Sequence, residues 1–166
     1  MMNFLLMVAF VLFSQLSQLA HANTIENQTA PACDLEALDN SGAYNLSQFK
    51  GKVVYVDFWA SWCGPCGESF PFMNKLHHDL EAKGLQVIAI NLDENVDDAR
   101  LFLKNKTAEF KIASDINAQC AQKFDVQAMP STYLIDRKGI VRQIHFGFRT
   151  GEAEEFRRKV QALLEE

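Results

Sequence analysis

Residues 53–59 read VVYVDFW, a nearly continuous run of β-branched and aromatic side chains, and a Cys-x-x-Cys pair follows at Cys63 and Cys66. Such a run is typical of a strand that is buried on both faces, so we expect it at the centre of a sheet. Beyond Pro65, apolar residues recur every three or four positions and predict a helix that ends near Lys83. A chain with this feature places a dithiol between a central strand and a helix.

The rest of the chain alternates between strand and helix patterns. A second buried strand is predicted at residues 85–92, followed by a helix that contains residues 96–103. Two further strands, at residues 132–136 and 140–146, flank a hairpin turn. The last predicted helix buries one apolar face, made of Phe156, Val160, Leu163 and Leu164. The order βαβα followed by ββα predicts an α/β domain with a mixed sheet.

Composition excludes several classes of protein. The chain has 166 residues, enough for one domain with a core that stabilises itself. A hydrophobic fraction of 48% and a charged fraction of 22% exclude disordered and low-complexity chains. The formal net charge is −5 and no block of Lys and Arg interrupts the sequence. We therefore expect no nucleic-acid partner and no attraction to anionic membranes.

The first 22 residues are predicted to be a secretory signal peptide. Residues 4–13 form an apolar run, and Ala20-His21-Ala22 has the small-x-small pattern of a cleavage site. An uncleaved membrane anchor is the alternative, but a spanning helix needs about 20 apolar residues and polar residues end this run too early. We therefore expect export to the periplasm or cell envelope and a mature domain over residues 23–166.

The dithiol at Cys63 and Cys66 indicates redox chemistry. A helix N-terminus lowers the pKa of a cysteine thiol from about 8.5 into the range of roughly 3.5 to 7.5. We expect Cys63 to attack a disulfide and Cys66, one turn later, to resolve the mixed disulfide. A zinc site would need two further ligands at suitable spacing, and a purely structural disulfide is rare at a strand-to-helix junction. No metal and no cofactor is therefore expected.

Residues 56–66, VDFWASWCGPC, resemble the active-site stretch of thioredoxins. Together with Phe70-Pro71 and with residues 129–136, MPSTYLID, they resemble the exported TlpA/ResA-like branch of the thioredoxin superfamily. The resemblance extends over nearly all of the expected mature domain. It implies a thioredoxin fold, with helices flanking a mixed central sheet and an N-terminal β extension. It also implies a thiol:disulfide oxidoreductase of the bacterial cell envelope.

Two departures from the branch pattern bear on the mechanism. The branch usually has a Glu near the dithiol where this chain has Ser69, and Glu68 is turned away by about 100° on a helix. Asp57 stands where thioredoxin has a buried Asp that relays a proton for the inner cysteine. Burial of a carboxylate is costly and raises its pKa. We expect Asp57 to be a proton relay for Cys66, with a structurally bonded Asp as the alternative.

Met129-Pro130 matches the family's cis-proline loop, which faces the dithiol. A cis bond would leave the Met129 backbone free to pair with an extended substrate segment, and an ordinary trans proline is the alternative. An apolar docking patch beside the dithiol is expected to consist of Trp62, Pro65, Phe70 and Met129.

Cys33 and Cys120 are the two remaining cysteines. An even number of cysteines in an exported protein favours pairing, because exposed free thiols are a hazard in an oxidising compartment. Cys33 stands where the family usually has a packed Phe, which favours two buried inert thiols instead. The sequence leaves both readings open, a structural disulfide and a pair of packing residues.

The Gly64-Pro65 dipeptide between the cysteines is that of thioredoxin, whose potential is about −270 mV, so reduction is the expected direction. The expected substrates are disulfides of envelope proteins, and branch members commonly reduce the haem-binding cysteines of apocytochrome c. An envelope reductant needs electrons delivered through the membrane, so we expect a thiol donor of the DsbD type. We expect the domain to be a monomer. The alternatives are a disulfide oxidase or isomerase, and a redox-inert scaffold or metallochaperone.

Overall fold

The computed structural model describes residues 25–166, and the predicted signal peptide, residues 1–22, lies outside the described residues. The strands are β1 (Asp34–Ala37), β2 (Ala43–Asn45), β3 (Val53–Trp59), β4 (Leu85–Asn91), β5 (Lys111–Ser114), β6 (Ser131–Ile135) and β7 (Val141–Phe146). The α-helices are α1 (Gly64–Leu80), α2 (Val96–Asn105), α3 (Gln119–Lys123) and α4 (Ala153–Glu165). Short 3-10 helices lie at Leu46–Phe49, Glu81–Lys83 and Thr150–Glu152.

The described strands form one mixed sheet in the order β2-β1-β5-β4-β3-β6-β7. Strand β3 is central: it runs parallel to β4 and antiparallel to β6. All seven of its residues are buried, as the apolar run predicts. In this register Asp57 lies opposite Ala89 on one side and opposite Thr132 on the other.

Alternation along β3 sends its side chains to two separate cores. Tyr55 and Trp59 pack into the core that contains both cysteines of the dithiol and the buried residues of α1 and α4. Val56 and Phe58 pack into the opposite core, which contains Cys33, Cys120 and Phe124. Burial of each large apolar side chain stabilises the fold by about 1.5–3 kcal/mol. The sheet therefore separates a face that carries the dithiol from a face that carries the other cysteine pair.

Helix α1 begins where the sequence predicts. Cys63 is its N-cap, with extended backbone (φ −86, ψ 101), and Pro65 occupies the first turn, where the missing backbone N–H costs nothing. The helix buries the stripe that contains Met73 and Leu76 against the sheet. After a 3-10 turn, the chain reverses at Gly84, whose φ of 100 suits glycine.

The structure contains elements that the strand and helix patterns did not predict. Strand β5 has only four residues and is held by pairing with β4 and β1, so its own sequence carries little signal. Helix α3 has five residues, too few for a helical period to be visible. The β1–β2 hairpin is the N-terminal extension that the family resemblance implies. Within residues 25–166, no helix has the length and apolar character needed to cross a bilayer.

Candidate active site

Cys63 and Cys66 form a disulfide at the N-terminus of α1, with Cα atoms 5.3 Å apart. The backbone N–H of Cys66 donates to the carbonyl of Cys63 at 3.1 Å, so the first turn of the helix holds the pair together. Cys63 retains 6% of its surface exposure and Cys66 retains none. A partner that approaches from solvent therefore reaches the sulfur of Cys63 first.

The turn that precedes Cys63 is held by a buried carboxylate. Asp93 is 3% exposed and accepts the backbone N–H and the hydroxyl of Ser61, both at 3.0 Å. It also accepts the side-chain amide of Asn91 at 2.8 Å. Asp93 was not among the site residues predicted from the sequence. The sequence feature that could have identified Asp93 is its position just after β4. Because β4 runs parallel to β3, both strands end at the dithiol edge of the sheet.

Asp57 is fully buried in the middle of β3. Its Oδ1 accepts the hydroxyl of Thr132 at 2.8 Å, and its Oδ2 has no hydrogen-bond partner among the described residues. Burial raises the pKa of Asp57 from 3.8 to about 7, and the hydrogen bond from Thr132 opposes this rise. A carboxyl with such a pKa exchanges protons near neutral pH.

Asp57 and Cys66 lie on the same side of the sheet. Asp57 alternates in phase with Tyr55 and Trp59, which share a core with Cys66, so its side chain is directed to the face that α1 covers. Both residues are 0% exposed. Any exchange of a proton between the inner thiol and this carboxyl takes place out of contact with bulk solvent.

Ser69 and Glu68 differ sharply in their surroundings. The Ser69 side chain is buried and donates to the carbonyl of Cys66 at 2.8 Å. Glu68 is exposed. The carboxylate that the branch pattern places near the dithiol is thus replaced by a hydroxyl.

The Met129-Pro130 peptide bond is cis. Pro130 is buried, and its carbonyl accepts the backbone N–H of Gly147 at 2.7 Å. Met129 is half-buried and packs against the core cluster that includes Cys63 and Cys66. The loop therefore packs against the core that contains the dithiol, and it is tied to the end of β7.

Two residues of the predicted docking patch are exposed, but the inclusion of Phe70 in that patch is wrong. Trp62 is 72% exposed and Pro65 is exposed at the start of α1. Phe70 is only 1% exposed, because its position on α1 directs it to the sheet, where its ring lies 5.1 Å from that of Trp59 and 5.4 Å from that of Phe102. Phe70 is a core residue and offers no surface to a partner.

Comparison with known proteins assigns the chain to a family. The Redoxin family matches residues 25–161, a range that contains every candidate site residue. The chain belongs to the Redoxin family. Two relatives named thiol-disulfide oxidoreductase ResA support the assignment. The one from Bacillus thuringiensis subsp. konkukian is 35% identical over 116 residues, 69% of this chain and 67% of the relative. The one from Geobacillus kaustophilus is 30% identical over 151 residues, 87% of each chain.

Solved structures agree with this Redoxin assignment. A crystal structure from Chlorobium tepidum, described as a thiol:disulfide interchange protein DsbE, is 43% identical, with a TM-score of 0.81 over 84% of this chain and 97% of that chain. The predicted thioredoxin fold and TlpA/ResA-like resemblance are confirmed. The predicted enzyme class is confirmed as well: this Redoxin domain is a thiol-disulfide oxidoreductase.

Cys33 and Cys120 are joined by a second disulfide in this Redoxin domain, with Cα atoms 5.4 Å apart. Both are buried, at 1% and 2% exposure. The bridge ties the segment before β1 to α3, and Lys123 of α3 reinforces this contact by donating to the carbonyl of Ala32 at 3.1 Å. Of the two readings that the sequence left open, the structure adopts the bridged one.

Proposed function

We propose that this chain is an exported protein-disulfide reductase in which Cys63 attacks and Cys66 resolves. The observation that carries the proposal is the asymmetry of the pair. Cys63 caps α1 beside the exposed Trp62, whereas Cys66 is fully buried on the same sheet face as Asp57. A substrate sulfur reaches Cys63 from solvent, and the mixed disulfide is then open to attack from the inner side only.

The proposed reaction consists of two successive thiol-disulfide exchanges. The Cys63 thiolate attacks one sulfur of the substrate disulfide, and the other substrate sulfur leaves as a thiolate. Cys66 then passes its proton to Asp57 and attacks Sγ of Cys63, which releases the second substrate sulfur. The substrate disulfide is reduced to two thiolates, and the Cys63–Cys66 pair is oxidised to the disulfide. One thiolate takes up the proton that Asp57 releases, and the other takes up a proton from solvent.

Substrate docking is assigned to the surface around Cys63. Trp62 and Pro65 offer exposed apolar area on one side, and Met129 and Pro130 form the cis-proline loop on the other. An extended segment that pairs with the backbone at Met129 would present its disulfide to Cys63.

Reduction is the direction that we propose, because the Gly64-Pro65 dipeptide is that of the reducing thioredoxins. Substrates would be disulfides of envelope proteins, including the haem-binding cysteines of apocytochrome c. Electrons would come from a membrane thiol donor of the DsbD type. The domain, residues 23–166, would act as a monomer after removal of the signal peptide, residues 1–22.

Measurement of the reduction potential of the Cys63–Cys66 pair against a glutathione buffer tests the direction. We expect a value near −270 mV, together with reduction of a model protein disulfide at the expense of a dithiol donor. A potential above about −180 mV would overturn the proposed direction and favour an oxidase or isomerase. A pair that does not exchange at all would support the redox-inert alternative.

Expression of the full chain in a Gram-negative host tests export. We expect the protein in the periplasmic fraction, with an N-terminus at Asn23 when it is sequenced. A cytoplasmic protein that starts at Met1 would contradict export. A protein that starts at Met1 and sediments with the membrane would favour the uncleaved anchor instead.

A further inference from the structure

Asp57 is bound by a hydroxyl that is itself bound by another hydroxyl. Thr132 Oγ1 lies 2.8 Å from Asp57 Oδ1, and the Tyr55 hydroxyl lies 3.4 Å from Thr132 Oγ1. Thr132 is the register partner of Asp57 across β3 and β6, so the two side chains share one face of the sheet. The three groups form a buried hydrogen-bonded chain that runs from the Asp57 carboxyl through Thr132 to the Tyr55 hydroxyl.

A buried carboxyl that takes up a proton on one oxygen needs a donor that stays bound to the other oxygen. A carboxylate only accepts hydrogen bonds, whereas a carboxylic acid must also donate one. When the proton is carried on Oδ2, Oδ1 remains an acceptor in both states, so the Thr132 hydroxyl can donate to it throughout. Without this donor, Oδ1 would be a buried acceptor that is left unsatisfied.

Tyr55 completes the chain, because Thr132 also needs a second partner. Thr132 donates its proton to Asp57 in both states, so its oxygen can accept from the Tyr55 hydroxyl. Tyr55 and Thr132 line a cavity of about 10 Å³ with His145 and Phe148, close to the space of one water molecule.

We propose that Thr132, oriented by Tyr55, is the positioning residue of Asp57, and that it holds Oδ1 in both protonation states while Oδ2 takes and returns the Cys66 proton. The inference rests on the proposed role of Asp57 as the base for Cys66. It assigns different tasks to the two carboxyl oxygens: Oδ1 is bound, and Oδ2 has no other partner in residues 25–166.

Other ionisable groups lie near this hydrogen-bonded chain. From β3 the neighbour is Tyr55 itself, and from α1 it is the proton donor Cys66. Around the cavity lie His145 of β7, whose Nε2 is 3.4 Å from Glu152 Oε2, and the exposed Arg149, which pairs with the same Glu152 at 3.2 Å. Burial and the charge of Asp57 raise the pKa of Tyr55, so its hydroxyl stays protonated while Asp57 titrates.

The test compares Thr132→Val, which removes the hydroxyl and keeps the shape, with Thr132→Ser, which keeps the hydroxyl. Two quantities are measured against pH: the single-turnover release of a peptide thiol from a mixed disulfide on Cys63, and the Asp57 carboxyl signal by isotope-edited NMR. We expect Thr132→Val to raise the midpoint of both profiles by about one pH unit, because the carboxylate loses its donor. We expect Thr132→Ser to keep the wild-type midpoints.

Tyr55→Phe supplies a second measurement if Thr132→Val does not fold. It should raise both midpoints in the same direction by a smaller amount, because Thr132 loses the group that orients it. Tyr133→Phe is the matched control: Tyr133 is also buried, but it packs in the opposite core and donates to the carbonyl of Phe124 at 2.9 Å. It should leave both midpoints unchanged.

The outcomes separate this inference from the proposed function. If Thr132→Val and Tyr55→Phe leave both midpoints in place while Asp57→Asn slows release, Asp57 is the base and the positioning role of Thr132 is wrong. If Asp57→Asn does not slow release at all, the proposed role of Asp57 fails first, and the positioning role falls with it.

Discussion

The carboxylate of Asp93 holds Ser61 by both its backbone amide and its hydroxyl, each at 3.0 Å. Ser61 precedes the exposed Trp62 and the N-cap Cys63, so this contact fixes the turn that presents the proposed nucleophile. The carboxylate comes from the end of β4 and the turn from the end of β3. A pair of parallel strands thus sets the position of the dithiol.

Removal of this contact by Asp93→Ala should destabilise the fold by about 2–3 kcal/mol, because buried donors lose their acceptor. Urea denaturation at neutral pH measures the change. Glu94→Ala is the matched control, since Glu94 is the exposed neighbour of Asp93, and it should change stability by less than about 0.5 kcal/mol. Equal effects of the two variants would contradict the assigned role of Asp93.

The nucleophile can be identified by trapping. Cys66→Ser should accumulate mixed disulfides with substrate, because no inner thiol remains to release them. Cys63→Ser should accumulate none, because Cys66 is fully buried. Non-reducing electrophoresis followed by mass spectrometry of the trapped species provides the measurement, with apocytochrome c peptides as a defined substrate. Similar trapping by both variants would reverse or abolish the assignment.

Asp57→Asn should change the pH dependence of stability. The folded pKa of Asp57 is about 7, above its ordinary value of 3.8, so the folded state binds the proton more tightly. The stability of the wild type therefore falls as pH rises from 3.8 toward 7, and it levels off above that range. Asp57→Asn should remove this fall and be more stable by roughly 1–3 kcal/mol at pH 8, after the cost of an unpaired amide.

Denaturation of the oxidised protein at several pH values checks this expectation. Asp98→Asn, at an exposed position on α2, is the control and should leave the profile unchanged. The same Asp57→Asn variant should slow the resolution step most near neutral pH. A variant with the wild-type stability profile and wild-type rate would show that folding does not shift the pKa of Asp57 and that the resolution step does not use it.

The Cys33–Cys120 bridge should resist reduction while the active pair opens. Its ends are 87 residues apart, so in the chain-entropy model the bridge stabilises the fold by about 4–5 kcal/mol. Mild reduction followed by alkylation should add two labels, both on Cys63 and Cys66, before four are seen by mass spectrometry. Four labels under mild native reduction would contradict this expectation.

A double variant measures the energy directly. Cys33→Ala with Cys120→Ala should lose about 4 kcal/mol of unfolding free energy. Cys63→Ala with Cys66→Ala removes the other bridge, whose ends are only three residues apart, and should lose much less. Equal losses would show that loop closure is not the source of the stability.

Local patterns in the sequence were sufficient for the elements that carry the dithiol. The apolar run of β3 predicted a strand that contains Asp57. The spacing of apolar residues along α1 predicted a helix that starts near Cys63. The four-residue β5 was missed, because its stability comes from two neighbouring strands. Phe70 was misassigned, because a position near the dithiol in sequence does not tell on which side of the helix a ring lies.

The contacts that tune the site depend on strand order and register, which no local pattern specifies. Thr132 meets Asp57 because β6 pairs with β3 in one register, and Asp93 meets Ser61 because β4 runs parallel to β3. These residues are distant in sequence from their partners. The even number of cysteines likewise left the Cys33–Cys120 pairing open, because only the folded chain shows which side chains come within bonding distance.

The position of the two disulfides on opposite faces of the sheet insulates one redox couple from the other. Cys63 and Cys66 belong to the core under α1, and Cys33 and Cys120 belong to the core on the far side of β3. The hydrogen-bonded backbone of the sheet therefore lies between a thiolate at the active pair and the second bridge. This separation disfavours disulfide exchange between the two pairs within one folded molecule.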